Sequence, residues 1–262
     1  MPQIVGSLSA AAAHLASVLR PWLPKKLRPH RVLSGPIRGA RIVTSWHDYP
    51  AGISGVTESP LIAWFGQHVA AGATWLDVGA HYGYTAIALS RLVGRDGRVF
   101  AFEPMRETAD CIAQTRRLND LSQLTVVPYG LGRPDTAASV ALPTVRGMAD
   151  RTIMGQHRLE TIEVARFDWL WPQINDGNPV VHGIKIDVQG MELEVLTGME
   201  RTLVVHKPLL VIELHRGVDR VALLDLLHSV GYSLPAMPVQ PTAGESTPLL
   251  LDDRSYVFRS DL

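Results

Sequence analysis

Apolar residues along this chain gather into short, nearly unbroken runs, and the stretches between them carry helical spacing. Trp75 to Val78 is one such run, of a length that suits a strand buried on both faces. Gly79 and Gly83 break it, and Thr85 to Leu92 resumes with the periodicity of a helix. Arg98 to Phe102 is the next buried strand and Leu124 to Pro128 a third. Val140 to Leu142 and Thr161 to Ala165 read as further strands, flanking a polar stretch, Arg146 to Arg158, that reads as a loop. Ile184 to Val188 is again a buried strand, followed by a turn at Gly190 and a helix from Met191 that Gly198 can cap. Upstream, Ala40 to Ser45 alternates as an edge strand, and Ser59 to Ala71 has the spacing of an amphipathic helix. Strand and helix alternate from Thr74 to Val230, the pattern of a doubly wound, mostly parallel α/β sheet. Tyr232 to Ala236 and Ser255 to Arg259 depart from it and read as a terminal antiparallel pair.

Composition narrows the function classes. The 262 residues are 46% hydrophobic and 19% charged with zero formal net charge, which suits one globular domain. A balanced charge gives no long-range pull on phosphate backbones, so bulk nucleic-acid binding is not expected. The single Cys111 rules out an internal disulfide and a C-x-x-C metal site, and the expectation is a cytoplasmic protein. Residues 1–31 read as an N-terminal helix and a linker marked by Pro21, Pro24 and Pro29, with the main domain over 32–262. The apolar stretch from Ile4 to Leu19 is about sixteen residues, short of the roughly 20 that span a bilayer. Its basic residues follow it, unlike those of a secretory signal. The expectation is a helix docked on the domain; the alternative is weak membrane-surface contact through residues 4–28, with Trp22, Lys25 and Lys26 at the headgroups.

Chemistry concentrates at two strand ends. Glycine is needed where a chain turns tightly and a ligand approaches the backbone, and the helix after Gly83 aims its free N–H groups at that ligand. Glu103, 20 positions after Gly83, closes the second strand where a carboxylate grips the hydroxyls of a ribose. A dinucleotide turn would place glycines where His81 and Tyr84 stand, so the site suits a nucleoside cofactor without a pyrophosphate. What remains is D-x-G-x-x-x-G, from Asp77 through Gly79 to Gly83.

On these residues the chain resembles the class I S-adenosylmethionine-dependent methyltransferases. The resemblance narrows to the FkbM family on Leu76-Asp-Val-Gly-Ala, Phe102-Glu-Pro, Phe167-Asp-Trp-Leu, Lys185-Ile-Asp-Val-x-Gly-x-Glu and Ile212-Glu-Leu-His, in that order over residues 60–216. His81 stands where the family usually has Asn, and Gln189 where it usually has Glu. The resemblance implies a seven-stranded, Rossmann-like sheet with an antiparallel C-terminal pair. It implies S-adenosylmethionine as cofactor, bound by Asp77, Gly79, His81, Tyr82, Gly83, Thr85, Glu103 and Pro104, with Gly79 leaving no room for a β-carbon facing it. It also implies O-methylation of a small-molecule or glycan acceptor, the hydroxyl lying on a glycan, glycolipid or secondary metabolite. An RNA methyltransferase of the same fold and a non-catalytic cofactor-binding module are the alternatives; the neutral charge and the intact carboxylates speak against them.

Methyl transfer to a hydroxyl requires that a proton leave, through a base or a metal. Asp187, Glu213 and His215 end neighbouring strands, and Glu213 and His215, two apart, share a face. Two arrangements are open: His215 as base with Glu213 orienting it, or all three around a divalent ion. The expectation is the first, with no metal and with activity surviving a chelator. Around this set, Lys185 reads as the partner of a neighbouring acid, Glu192 and Glu194 as charges favourable to a helix N-terminus, and Asp168 as the cap of the helix begun by Trp169. Trp46, His47 and Tyr49 read either as an acceptor pocket or as an edge-strand cluster.

Overall fold

The computed structural model describes residues 20–152, 158–175, 177, 179–234, 236–241 and 250–260. The N-terminal stretch from Ile4 to Leu19 lies outside them. After a single 3-10 turn, Arg20–Trp22, comes a short ribbon, β1 (Arg28–Arg31) antiparallel to β2 (Arg41–Thr44). Pro29, read above as linker, sits inside it, and β2 pairs with no strand of the main sheet. Helices α1 (Pro50–Ser54) and α2 (Ser59–His68) follow. The repeating part begins with β3 (Thr74–Val78), α3 (Tyr84–Val93), β4 (Arg98–Phe102), α4 (Arg106–Leu118) and β5 (Leu124–Val127).

Four strands then make a separate small sheet: β6 (Gly130–Leu131), β7 (Ala138–Val145), β8 (Met148–Ala149) and β9 (Leu159–Ala165), ordered β6-β9-β7-β8. Met148 and Ala149 fall in the stretch expected to be loop; they pair back on Val145 and Thr144. The main sheet resumes through α5 (Phe167–Ile174), β10 (Gly183–Ile186), α6 (Glu192–Thr197), α7 (Glu200–His206), β11 (Leu209–Leu214) and α8 (Arg220–Ser229). It ends with β12 (Met237–Pro238) and β13 (Arg254–Phe258). Its order is β12-β13-β11-β10-β3-β4-β5, parallel from β11 to β5, with β13 antiparallel to both β11 and β12. That is the class I methyltransferase sheet, and its terminal pair begins at Met237 rather than Tyr232, which makes only an isolated bridge with Ser260.

Alternation along the strands builds two cores. Leu76, Val78, Phe100, Phe102, Ile184, Ile186, Leu210, Ile212 and Leu214 face one side, against Phe167 and Trp171 of α5, Val195 and Leu196 of α6, and Leu223 and Leu227 of α8. Trp75, Val99, Ala101 and Val211 face the other, against Phe65 of α2, Ile87 of α3 and Ile112 of α4. The sheet is therefore covered on both faces, as a parallel sheet requires.

Two expected caps differ. Gly198 ends α6 in right-handed conformation, φ −75°, so no left-handed cap forms there. Asp168 lies in the first turn of α5 and caps α7 instead, accepting from Arg201 N at 2.8 Å and Thr202 N at 3.1 Å. A carboxylate on one helix thus satisfies the free N–H groups of another. No helix among the described residues is long and apolar enough to cross a membrane.

Candidate active site

Strand order reverses at β3: the chain proceeds through β4 and β5 on one side and returns to β10 and β11 on the other. In open α/β sheets the crevice beyond the carboxyl ends of strands at such a switch point is the ligand site. A cleft opens there, lined by Gly79, His81, Thr85, Glu103, Pro104, Asp187 and Glu213 among others.

Glu103 ends β4 with only 3% exposure. Its Oε2 accepts from His81 N at 2.8 Å and its Oε1 from Met105 N at 3.0 Å. Burial dominates these two bonds and pushes its carboxyl up to about 8. A ligand donating hydroxyl bonds to it favours the charged form. His81 holds φ +48°, a left-handed conformation that Asn and His tolerate better than most residues, so histidine can occupy the position the family gives to Asn. Burial pushes its imidazole down to about 4, and its Nε2 donates to the carbonyl of Arg146 at 3.1 Å. Pro104 and Thr85 line the cleft as expected.

Asp77, Gly79, Gly83 and Tyr82 serve the site differently from the expectation. Asp77 is fully buried outside the cleft lining; its Oδ2 accepts from Thr85 Oγ1 at 2.6 Å and its Oδ1 pairs with Lys185 Nζ at 3.3 Å. Lys185 stands opposite Asp77 in the β3–β10 register, so the pair lies side by side on one face. Its Nζ also reaches Asp187 Oδ2 and the Gly79 carbonyl, both at 3.2 Å. Gly79, at φ +78°, lines the cleft and has no room for a β-carbon, which would stand 1.8 Å from the Asp187 carbonyl oxygen. Gly83, φ +84°, forms the start of α3, where a β-carbon would press on Ile112. Tyr82 points into the core with its hydroxyl 3.3 Å from Asp48, and it does not line the cleft.

The expected catalytic set does converge, in a changed arrangement. His215 Nε2 lies 3.6 Å from Asp187 Oδ1 and 3.7 Å from Glu213 Oε1. Its Nδ1 is held by Glu192 at 2.7 Å, so Glu192, not Glu213, orients the ring. Glu192 lies in the first turn of α6, as expected, and is fully buried there. The signal was present in the sequence: Glu192 shares its helical stripe with Val195, Leu196 and Met199, all buried. Burial opposes charge on His215, but the Glu192 bond and the Asp187 and Glu213 carboxylates outweigh it and raise the imidazole to about 9. The carboxylates thus favour the charged form of a ring that is 2% exposed and stands outside the cleft lining. Burial and the Asp187 charge raise Glu213 to about 7. For Asp187 burial is the largest influence, yet Lys185 and His215 hold the carboxyl below its ordinary value.

Further residues complete the walls. Arg146, Met148, Ile162 and Val164 of the small sheet and its turn cover one side and Glu58 another, none of them singled out from sequence; of the Trp46, His47 and Tyr49 group, Tyr49 lines the cleft while Trp46 and His47 stay outside. Tyr84 also lines the cleft, with its hydroxyl buried and without a hydrogen-bond partner among the described residues, which a polar ligand would satisfy. The unpartnered hydroxyl and the buried Glu103 carboxylate together fit a nucleoside cofactor.

Known methyltransferases share the sequence pattern and the fold. Residues 77–234 match the family described as Methyltransferase FkbM domain. The chain is 29% identical over 156 residues to the hexuronic acid methyltransferase AglP of Haloferax volcanii, spanning 55% of this chain and just over half, 56%, of that curated relative. A solved structure of the methyltransferase FkbM from Methylobacillus flagellatus KT shares the fold at a TM-score of 0.50 and 23% identity, covering 72% of this chain and 44% of that one. The chain belongs to the FkbM family of methyltransferases, with S-adenosylmethionine as its cofactor.

Proposed function

We infer that the protein transfers the methyl group of S-adenosylmethionine to a hydroxyl of a glycan, glycolipid or secondary metabolite. The observation that carries this reading is Glu103, a buried carboxylate facing the cleft at the switch point, with both oxygens preset by backbone N–H groups. Bound there, the cofactor supplies a methyl carbon on a sulfonium sulfur, already activated for displacement. Glu103 accepts the ribose hydroxyls. Asp187 and Glu213 line the cleft beyond β10 and β11, on the far side of β3, and mark where the acceptor approaches. Holding both partners in one cleft supplies alignment.

Three features favour a sugar acceptor. The Haloferax relative is named for a hexuronic acid. Tyr49 and Tyr129 line the cleft, and Arg146 lines it without an ion pair among the described residues, a suitable partner for an acidic sugar. Cys111, buried and unpaired, suits a reducing cytoplasmic setting. The fold alone would not choose, since it hosts many chemistries.

The test is labelled S-adenosylmethionine with a panel of neutral and uronic acceptors, reading S-adenosylhomocysteine formation. Acceptor-dependent turnover is expected, and Glu213→Gln should lower kcat by about 100-fold or more with cofactor affinity unchanged. Wild-type turnover in that variant would remove Glu213 from the chemistry. Cofactor binding with no acceptor methylated would favour the non-catalytic reading.

A further inference from the structure

Asp187, Glu213 and His215 surround a common point, and each has its other polar atom committed elsewhere. His215 Nδ1 is bonded to Glu192 Oε1 at 2.7 Å, Asp187 Oδ2 is paired with Lys185 at 3.2 Å, and Glu213 Oε2 accepts from Ser255 Oγ at 3.3 Å. Left facing one another are His215 Nε2, Asp187 Oδ1 and Glu213 Oε1. The 3.6 and 3.7 Å separations from Nε2 are too long for hydrogen bonds, and the ligand atoms of the three residues all lie within 4.8 Å of one another. A triangle with those sides has its centre at most about 2.4 Å from each corner, close to the bond lengths of about 2.0–2.2 Å that carboxylate and imidazole make to a small cation. Gln189 Nε2 also donates to Asp187 Oδ1 at 3.1 Å, leaving that oxygen a second lone pair. His215 is 2% exposed, and among the described residues the neighbours of its Nε2 are the Asp187 and Glu213 oxygens at 3.6 and 3.7 Å. A buried ring nitrogen is thus aimed between two carboxylates, at separations longer than hydrogen bonds.

We propose that Asp187, Glu213 and His215 form a divalent-cation site, with Glu192 as the positioning residue that fixes the imidazole tautomer. A metal-bound histidine commonly gives its other ring nitrogen to a carboxylate, as His215 does here. Two carboxylate oxygens and one imidazole suit Mn²⁺, Mg²⁺ or Fe²⁺, and leave positions open toward the cleft that Asp187 and Glu213 line. The site also balances charge: Asp77, Asp187, Glu192 and Glu213 are linked through contacts to Lys185 and His215, with Lys185 the one permanent cation among them. Its consequence for catalysis rests on the methyl-transfer reading. An acceptor hydroxyl on the cation becomes more acidic. Its O–H bond breaks with the proton passing to water, the oxygen keeps the electron pair and bonds the methyl carbon, and the C–S pair returns to sulfur. This takes the place of the histidine base expected from sequence.

Mn²⁺ titrated into the chelator-stripped full chain, without cofactor or acceptor, tests the site through the paramagnetic resonance signal of the free ion. One Mn²⁺ per chain is expected, with nitrogen coupling from His215 in the pulsed spectrum. His215→Gln and Glu213→Gln should each weaken binding at least tenfold, and Glu192→Gln by about 10–100-fold. Glu194→Gln, on the same helix but paired with Arg151, should leave it unchanged. Absence of saturable binding, absence of nitrogen coupling, or wild-type affinity in the His215 and Glu213 variants would overturn the proposal; the coupling in the wild type decides alone if a variant fails to fold. With neither cofactor nor acceptor present, failure here leaves the methyl-transfer reading intact, and failure of that reading leaves the Mn²⁺ stoichiometry standing.

Discussion

Replacing Lys185 with methionine is expected to cost about 3–5 kcal/mol of folding stability, the penalty of stranding a buried charge. Asp77 is fully buried, and apart from the Thr85 hydroxyl its compensation is the Lys185 ammonium at 3.3 Å. Burial alone would push the Lys185 pKa down, but Asp187 and Asp77 outweigh it and hold it above its ordinary value. A second change, Asp77→Asn, removes the stranded charge while still accepting from Thr85. The double variant should therefore recover much of the loss. Urea denaturation of the wild type, both single variants and the double variant closes the cycle. Additive costs would show that the pair does not hold β3 against β10.

Gly79→Ala is the second large effect, about 2–5 kcal/mol. The left-handed backbone at φ +78° costs an L-residue about 1–2 kcal/mol. Forcing a methyl to within 1.8 Å of a backbone oxygen adds about 1–3 kcal/mol of overpacking. The oxygen belongs to Asp187, so relief of the clash displaces the end of β10, and with it a wall of the cleft. Thermal unfolding should fall by roughly 5–15 °C, with weakened cofactor binding beside it. A melting temperature equal to the wild type's would mean that β3 and β10 do not meet as closely as described.

What the sequence made legible follows from burial. Arg98 to Phe102 was bounded correctly because a strand covered on both faces is apolar at nearly every position, leaving one reading. The order of Asp77, Glu103, Asp187 and His215 fixed the switch point, since each stands at or just beyond a strand's carboxyl end. The small sheet was harder. β7 is half-exposed along its length, and β8 is two residues beyond a turn at Gly147, so neither carries a strong period. Its role as a cleft wall depends on tertiary placement alone.

Single polar residues were misread where a long-range partner decided their role. Asp168 has the chemistry of a cap, but the helix it caps begins more than thirty residues later, at Glu200. Glu192 is the first-turn charge that its position suggests, but its buried stripe also ties it to His215, which position alone does not reveal. Tyr82 sits inside the glycine turn yet turns inward to Asp48. At Gly79 the residue type was rightly singled out and the cause was not: the crowding atom comes from a strand 108 positions away, at Asp187.

Calorimetric titration of S-adenosylmethionine into the wild type and Glu103→Ala tests most directly that this cleft holds the cofactor through Glu103. In the free protein the carboxyl is raised to about 8, and ribose hydroxyls stabilise its charged form, so binding at pH 7 should release a proton. Affinity should accordingly rise with pH and level off above about 8. Glu103→Ala should lose about 1.5–3 kcal/mol of binding, together with the proton release. A folded Glu103→Ala protein that binds the cofactor as tightly as the wild type, at every pH, would contradict the account.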